Sequence, residues 1–317
     1  MLKELKFVMG AISRKDLVPA MKHFAIEGGF VRSYNGTIAL CSPIPFDIDC
    51  YPRAETLIKA IQNCDETVTL TLTPAGKLAV KSGAFRALVQ CIEKNDVHLE
   101  PEGQRVECNG SELLKAFKVL EPFIGEDASR PWANGILIKG ESAYATCNVI
   151  LVEYWLGEHF PHVVNIPASA IKEVVRINEA PSHIQMSINS ITFHYTDGRW
   201  IRSQLFDTEW PDLARVLNRD ATATPVDGRL FDVLPKLKPF MDKSGRVIFE
   251  AGCAKTHFED EEGGFVEVTG STMQGVYALE MFALLKGVAR EADFSTYPNP
   301  CLFYGDRLRG AIIGRKA

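Results

Sequence analysis

The sequence predicts an α+β protein in which one small unit, two helices packed on antiparallel strands, occurs three times. A helix-sized apolar segment with at least one basic residue recurs six times, at 14–24, 54–64, 111–123, 167–177, 229–241 and 279–290. Between these segments lie pairs or triplets of alternating, turn-bounded stretches that read as strands, and self-similarity of this kind is the mark of a repeat architecture. Two breaks in the pattern, the polar stretch 93–103 with Pro101 and the Thr-, Ala- and Asp-rich stretch 219–226, divide the 317 residues into 1–103, 104–222 and 223–317. Each segment has roughly the size of a small domain.

In the first repeat, residues 2–12 alternate in strand fashion, and Ser13 stands where an N-cap belongs before helix 14–24. Leu17, Val18, Met21 and Phe24 form its apolar stripe, Lys15 and Lys22 face the other way, and Pro19 is expected to kink it. Strands 29–34 and 37–41 flank Asn35-Gly36, the dipeptide of a tight hairpin. Helix 54–64 turns Leu57, Ile58 and Ile61 inward and Lys59 outward, and strands at 68–72, 77–80 and 84–92 surround a Pro74-Ala75-Gly76 turn.

The second repeat restarts with strand 105–108 and helix 111–123, whose stripe is Leu113, Leu114, Phe117 and Leu120, with Lys115 and Lys118 off it. Strands 135–138, 142–146 and 150–155 precede Pro167, which is sterically favoured at the first helical position. Its helix turns Ile171, Val174 and Val175 inward and Lys172 and Arg176 outward; strands 184–188, 190–195 and 199–206 then make a meander around Thr196-Asp197-Gly198. The third repeat has helix 229–241, with Leu230, Val233, Leu234 and Leu237 inward, Lys236 and Lys238 outward and Pro235 inside it. Strands 247–251, 255–258 and 264–268, an acidic loop at 259–262, and helix 279–290 with Lys286 and Arg290 complete the chain.

Composition narrows the function classes. A formal charge of −5 excludes a protein coated with basic residues, so contact with a polyanion must be confined to one face. No apolar run approaches the ~20 residues of a membrane span, and Met1 to Phe7 mixes Lys3, Glu4 and Lys6, unlike a signal peptide, so a cytoplasmic protein is expected. The eight cysteines have no metal-ligand spacing and read as reduced small hydrophobes. Phosphate-loop, dinucleotide, nucleophile-elbow and zinc-protease motifs are all missing. In Glu158-His159-Phe160-Pro161-His162 two histidines three apart lack a further ligand and read as exposed loop residues. No enzyme, cofactor or metal is expected.

A Lys or Arg on the outer face of one amphipathic helix is what solubility alone requires. Agreement between six such helices is different. Lys15, Lys22, Lys59, Lys115, Lys118, Lys172, Arg176, Lys236, Lys238, Lys286 and Arg290 would form a base-blind positive surface if the helices shared one side, and that points to the phosphates of duplex nucleic acid.

The stretch Phe206-Asp207-Thr208-Glu209-Trp210-Pro211-Asp212-Leu213-Ala214-Arg215-Val216-Leu217 resembles the end of the second domain in bacterial DNA polymerase sliding clamps of the β-subunit type. Asn134 to Ile138, Ala143 to Leu151 and the Val164-Asn165-Ile166-Pro167 step into a helix are similar to the same family in order and spacing. Two departures stand out. The family's Asp-Gly-His-Arg is replaced by Cys147-Asn148-Val149-Ile150, and the chain closes with Ile312-Ile313-Gly314-Arg315-Lys316-Ala317 in place of a Met-Pro-rich tail. Their chemistry suggests an altered peptide preference, and the shortened first and third units suggest a divergent, phage-encoded version.

The resemblance implies a clamp fold of three repeated domains, two copies of which close head to tail into a homodimeric ring around double-stranded DNA. Its implied partners are the replicative polymerase and a clamp loader, with no membrane. By position it places Thr146, Asn148, Val149, Ile150, Leu151, Ile313 and Arg315 in a hydrophobic pocket that captures short peptides. A clamp-like adaptor that does not encircle DNA, and an α+β hydrolase, are the other readings open at this point.

Overall fold

The structure, a computed structural model, describes all residues except 14–17, 66, 97–98, 213, 251, 258–261 and 317. Among the described residues there are eight α-helices: α1 (Leu2–Val8), α2 (Ala54–Gln62), α3 (Gly110–Leu120), α4 (Ala168–Ile177), α5 (Ala214–Leu217), α6 (Arg229–Asp232), α7 (Leu234–Leu237) and α8 (Leu279–Ala283). The chain forms two compact units, Met1–Lys115 with Ile166–Asp207, and Ala116–Asn165 with Thr208–Ala317.

In the first unit a seven-stranded antiparallel sheet runs in the spatial order Ala25–Glu27, Phe30–Tyr34, Ile38–Pro43, Trp200–Gln204, Ser190–His194, His183–Met186, Gln104–Val106. Its centre joins distant segments, since Trp200 pairs with Cys41 and Ile201 with Leu40. A smaller sheet, Thr69–Leu72, Leu78–Ser82, Phe85–Val89, stands beside α2. The predicted stripe of α2 is buried at Leu57 and Ile61, and that of α4 at Ile171 and Val174.

The start of the chain departs from expectation. Residues 2–8 are helical, not extended, with Leu5, Phe7 and Val8 buried against α2 and strand Ile38–Pro43. The run Leu2-Lys3-Glu4-Leu5-Lys6-Phe7-Val8 fits either period, and the strong helix propensity of its first five residues decides for the helix. Within the predicted helix 14–24, Lys15 and Leu17 lie outside the described residues. A 3-10 turn over Pro19–Lys22 follows, and His23 is already extended.

Arg199 ties α1 to the second repeat's strands. Its side chain is only 7% exposed, bonded to Asp197 at 2.6 Å and to Glu179, and its guanidinium lies over the rings of Phe7 at 4.9 Å and Tyr195 at 5.4 Å. Arg199→Met is expected to cost about 2 kcal/mol, below the ~3–5 kcal/mol of a fully buried broken pair, because both carboxylates can rehydrate. A shift of the urea midpoint worth under about 0.5 kcal/mol would show that the residue is energetically passive.

His183 and His194 sit opposite each other on adjacent strands with rings stacked at 4.4 Å and 2°. Burial, with help from His183 and Arg105, lowers the His194 imidazole from 6.5 to about 4. A group lowered on folding favours the native state above its unfolded value, and that contribution is lost as pH falls from about 6.5 towards 4. Thermal stability should therefore drop over that window, and His194→Phe should flatten the drop; an unchanged pH profile in the variant would remove the pair as its source.

In the second unit a six-stranded sheet runs Gly135–Thr146, Ile150–Pro167, Leu308–Ile312, Cys301–Gly305, Glu291–Ala292, Thr224–Pro225, and again joins distant segments, with Ile150 opposite Ile312. A four-stranded sheet runs Phe265–Glu267, Cys253–Lys255, Arg246–Glu250, Gly275–Ala278. Stacked and tilted rings of Phe231, Phe249, Tyr277 and Phe282 form the core between that sheet and α6 to α8.

Three expectations are corrected here. Helix 229–241 is broken into α6, α7 and a 3-10 turn over Lys238–Phe240, because Pro235 and Pro239 each lack an N–H donor. Helix 279–290 is helical only through Ala283, and turns carry it to Gly287 at φ 76. Strand 150–155 continues to Pro167, so Glu158 to His162 lies in a strand and not in a loop.

Candidate nucleic-acid and peptide interfaces

Most predicted basic residues do reach solvent. Lys59 on α2, Lys115 and Lys118 on α3, Lys172 and Arg176 on α4, and Lys236 and Lys238 are exposed, as are Lys286 and Arg290 beyond α8; Lys22 is partly exposed. Lys15 lies outside the described residues. Several already meet a carboxylate: Lys115 with Glu112 at 3.4 Å, Arg176 with Glu173 at 2.7 Å, Lys238 with Glu280 at 3.3 Å, Lys286 with Asp232 at 3.1 Å and Arg290 with Asp306 at 3.6 Å. The last three pairs are exposed on both sides and are worth about 0–1 kcal/mol, so a phosphate can compete for those cations, whereas Glu112 and Glu173 are largely buried. The sequence reading missed Lys3 and Lys6, which are exposed on α1. The overlooked signal was the helix-forming composition of residues 2–8.

The two segments assigned to a peptide pocket lie side by side in the second unit. The Thr146 hydroxyl donates to the Ile150 carbonyl at 2.8 Å and accepts from the Asn148 N–H at 3.2 Å. Asn148 is left-handed at φ 69, a conformation Asn tolerates, and Arg130 donates to its side-chain oxygen at 2.8 Å. This turn starts strand Ile150–Pro167, along which Leu151 pairs with Ala311, and the Ile313 N–H donates to the Val149 carbonyl at 2.9 Å. Ile313 is 45% exposed. Arg315 donates its N–H to Val276 at 2.7 Å and its guanidinium to the Ser244 carbonyl, while the Tyr297 hydroxyl donates to the Arg315 carbonyl.

Leu151 points into a cluster with Leu217, Leu302 and Ala311, against which Tyr144, Trp210 and Val216 pack. Val216 and Leu217 come from α5, which the sequence reading did not foresee. The signal was present in the Trp210-Pro211-Asp212 stretch, read for resemblance but not for position. Trp210 meets Trp132 edge-on at 5.2 Å, and the Cys147 sulfur lies 3.6 Å from that of Met281 at α8. Thr146, Ile150, Leu151 and Leu217 are themselves buried, so what reaches solvent here is a small apolar patch of the partly exposed Val149, Trp210 and Val216 and the exposed Ile313.

The strands that carry this surface are pinned across their faces. Ser142 and Tyr144 donate to one oxygen of Glu153 at 2.8 and 2.9 Å, and Arg309 donates to the other at 2.6 Å. Burial pushes the Glu153 carboxyl up, but the hydrogen bonds from Arg309, Ser142 and Tyr144 outweigh it and hold the group below the usual carboxylate range. Among the described residues no group of three or more His, Cys, Asp or Glu is gathered around a metal-sized site. No helix among them is long and apolar enough to cross a membrane.

No protein-family model matches the chain, and no curated protein matches it. Solved structures do. The β sliding clamp of Caulobacter crescentus superposes with a TM-score of 0.85 at 16% identity, covering 100% of this chain and 97% of that one. The DNA polymerase III subunit β of Pseudomonas aeruginosa gives 0.83 at 19% identity, and the DNA polymerase sliding clamp of Bacillus subtilis 0.83 at 13%, with the same coverage. The chain therefore has the bacterial sliding-clamp fold along its whole length, as the resemblance implied.

Proposed function

We propose that this chain is a DNA sliding clamp, a processivity factor that encircles duplex DNA without sequence preference and tethers a replicative polymerase. The whole-length fold match carries this reading. On it, residues 1–103, 104–222 and 223–317 are three clamp domains, and the exposed basic residues of their helices meet backbone phosphates. The segments 146–151 and 313–315 receive partner peptides, with Val216 added to them. Chemistry is left to the polymerase, and opening of the ring to a loading ATPase in the cytoplasm.

Closure by a second copy is supported by two sheet edges. Strand Phe85–Val89 ends the three-stranded sheet with Leu88 at 62% exposure, and Phe265–Glu267 ends the four-stranded sheet with Phe265 at 57%. Phe240, 56% exposed, lies beside the second edge, where the Thr256 hydroxyl links the Phe240 carbonyl to the Gly264 N–H. Open edges bearing large apolar side chains are aggregation sites unless another chain pairs with them.

The test is topological. The protein, loaded onto nicked circular DNA, should be retained on gel filtration and released when the circle is linearised, and its mass in solution should be twice the 35.2 kDa of one chain. Equal retention on linear and circular DNA, or a stable monomer at micromolar concentration, would reject encirclement by a dimer and leave the adaptor reading.

A further inference from the structure

In the second unit, the edge strand Thr224–Pro225, the loop before strand Gly275–Ala278 and the residues that follow Glu291–Ala292 enclose a cleft of about 700 Å³. Clefts that hold specific ligands run from about 300 to 1,000 Å³. We propose that this cleft binds the guanidinium or ammonium group of an extended basic segment of a partner protein, with the Asp293 carboxylate as its anchor. None of its lining residues belongs to the surface assigned to partner peptides, so the site is independent of the clamp reading.

Asp293 is 6% exposed and lines the cleft. Its Oδ1 accepts from the Ser295 hydroxyl at 2.5 Å and from the Ser295 N–H at 3.0 Å, and its Oδ2 accepts from the Thr222 N–H at 2.9 Å. The Ser295 hydroxyl, joined by the two N–H groups, outweighs burial and holds the carboxyl below its ordinary range, so it is ionised at neutral pH. A carboxylate has about four acceptor positions, which leaves Oδ2 with a free lone pair. Among the described residues no Lys, Arg or His pairs with Asp293. A covered charge with hydrogen bonds but no counter-ion is what an incoming cation satisfies.

The rest of the wall selects for a donor. Among the described residues no Lys, Arg or His lines it, while Thr224, Ser271 and Thr272 bring hydroxyls. Pro225 has no N–H, so the edge strand offers an acceptor and no donor at that position. Asp227 also lines the cleft, but Arg229 holds it through bonds of 2.7 and 3.0 Å and neutralises it. Phe294 and Tyr297 add rings that pack on Tyr277 at 6.1 and 5.8 Å, so this part of the wall belongs to the aromatic core. Rings beside one acid suit the aliphatic stem and charged head of Arg or Lys. A divalent metal would find too few ligands, because no group of three or more His, Cys, Asp or Glu gathers among the described residues. Strand Thr224–Pro225 is outermost in its sheet, and its open edge can receive the backbone of an extended segment, which a free polyamine lacks.

Fluorescence anisotropy with a labelled, capped Gly-Ser-Arg-Ser-Gly peptide, and with the same peptide carrying neutral citrulline for arginine, tests the assignment on the full chain. The arginine peptide should bind, and citrulline should weaken binding about 10-fold or more, the scale of one lost hydrogen bond between charged groups. Asp293→Asn should cost about the same factor. Because that variant also loosens the Ser295 turn, Thr272→Lys is a second arm. It alters an exposed side chain, brings an ammonium of the chain's own to the cleft, and should weaken binding about 10-fold without lowering the melting temperature. No binding up to millimolar peptide, equal affinity for the two peptides, or wild-type affinity in both variants overturns the proposal. If spermidine binds in an Asp293-dependent way and the arginine peptide does not, the ligand is a free polyamine and the protein-segment assignment falls.

Discussion

Phe265→Asp is expected to convert the protein to a stable monomer of 35.2 kDa and to abolish its retention on nicked circular DNA. Phe265 is 57% exposed on the outermost strand of its sheet, where its ring costs stability in a lone chain and gains it only when covered. Covering one such ring contributes about 1.5–3 kcal/mol. In the proposed two-chain ring the contact recurs at both junctions, so the loss is about 3–6 kcal/mol, or on the order of 10² to 10⁴ in the dissociation constant. The charge adds desolvation to that loss. Leu88→Asp should act in the same direction from the other edge, whereas Phe265→Leu should keep the ring. Sedimentation equilibrium at micromolar concentration separates the cases. If Phe265→Asp still sediments as two chains, the edge strand is not the junction.

Gly103→Ala is expected to be the most damaging small substitution, at about 4 kcal/mol or more, because strain and collision act together. Gly103 has φ +93, and a Cβ there would stand 1.9 Å from the Met186 carbonyl oxygen. Relief by moving the backbone is blocked on both sides. Gln104–Val106 is hydrogen-bonded to His183–Met186, while Glu102 is held by Arg202 at 2.6 Å and by the Ser190 hydroxyl at 2.9 Å. Arg202 is 8% exposed and would be left without its charge partner. Gly76→Ala is the control: φ is +69 but nothing lies within 4 Å, so only the backbone strain of about 1 kcal/mol remains. Equal urea midpoints for the two variants would show that strain, not the Met186 contact, sets the cost.

Much of the candidate site was legible because its signals are local. Helix α4 follows from Pro167 and the spacing of Ile171 and Val174, and its exposed Lys172 and Arg176 follow from the same period. The hairpin turn at Asn35-Gly36 is set by turn chemistry, with the Asn35 side chain accepting from the N–H groups of Thr37 and Ile38. Local signals failed where two periods fit equally, as at residues 2–8. They also failed where proline divided a good apolar stripe, as at Pro235.

The sequence by itself determined the α+β class, the faces of α2, α3 and α4, and the basic residues they expose, since helical periodicity needs only neighbours a few residues apart. Tertiary structure alone decided which distant strands meet: Trp200 beside Cys41, and Ile150 beside Ile312. Pairing of that kind satisfies backbone donors and acceptors that no local pattern identifies, because many strands of similar alternation compete for each edge. The same long-range choice sets Lys3 and Lys6 opposite Arg176 and brings α5 onto the sheet beside Leu151. The charges were written along the chain, and the surfaces they form exist only once the strands have chosen their partners.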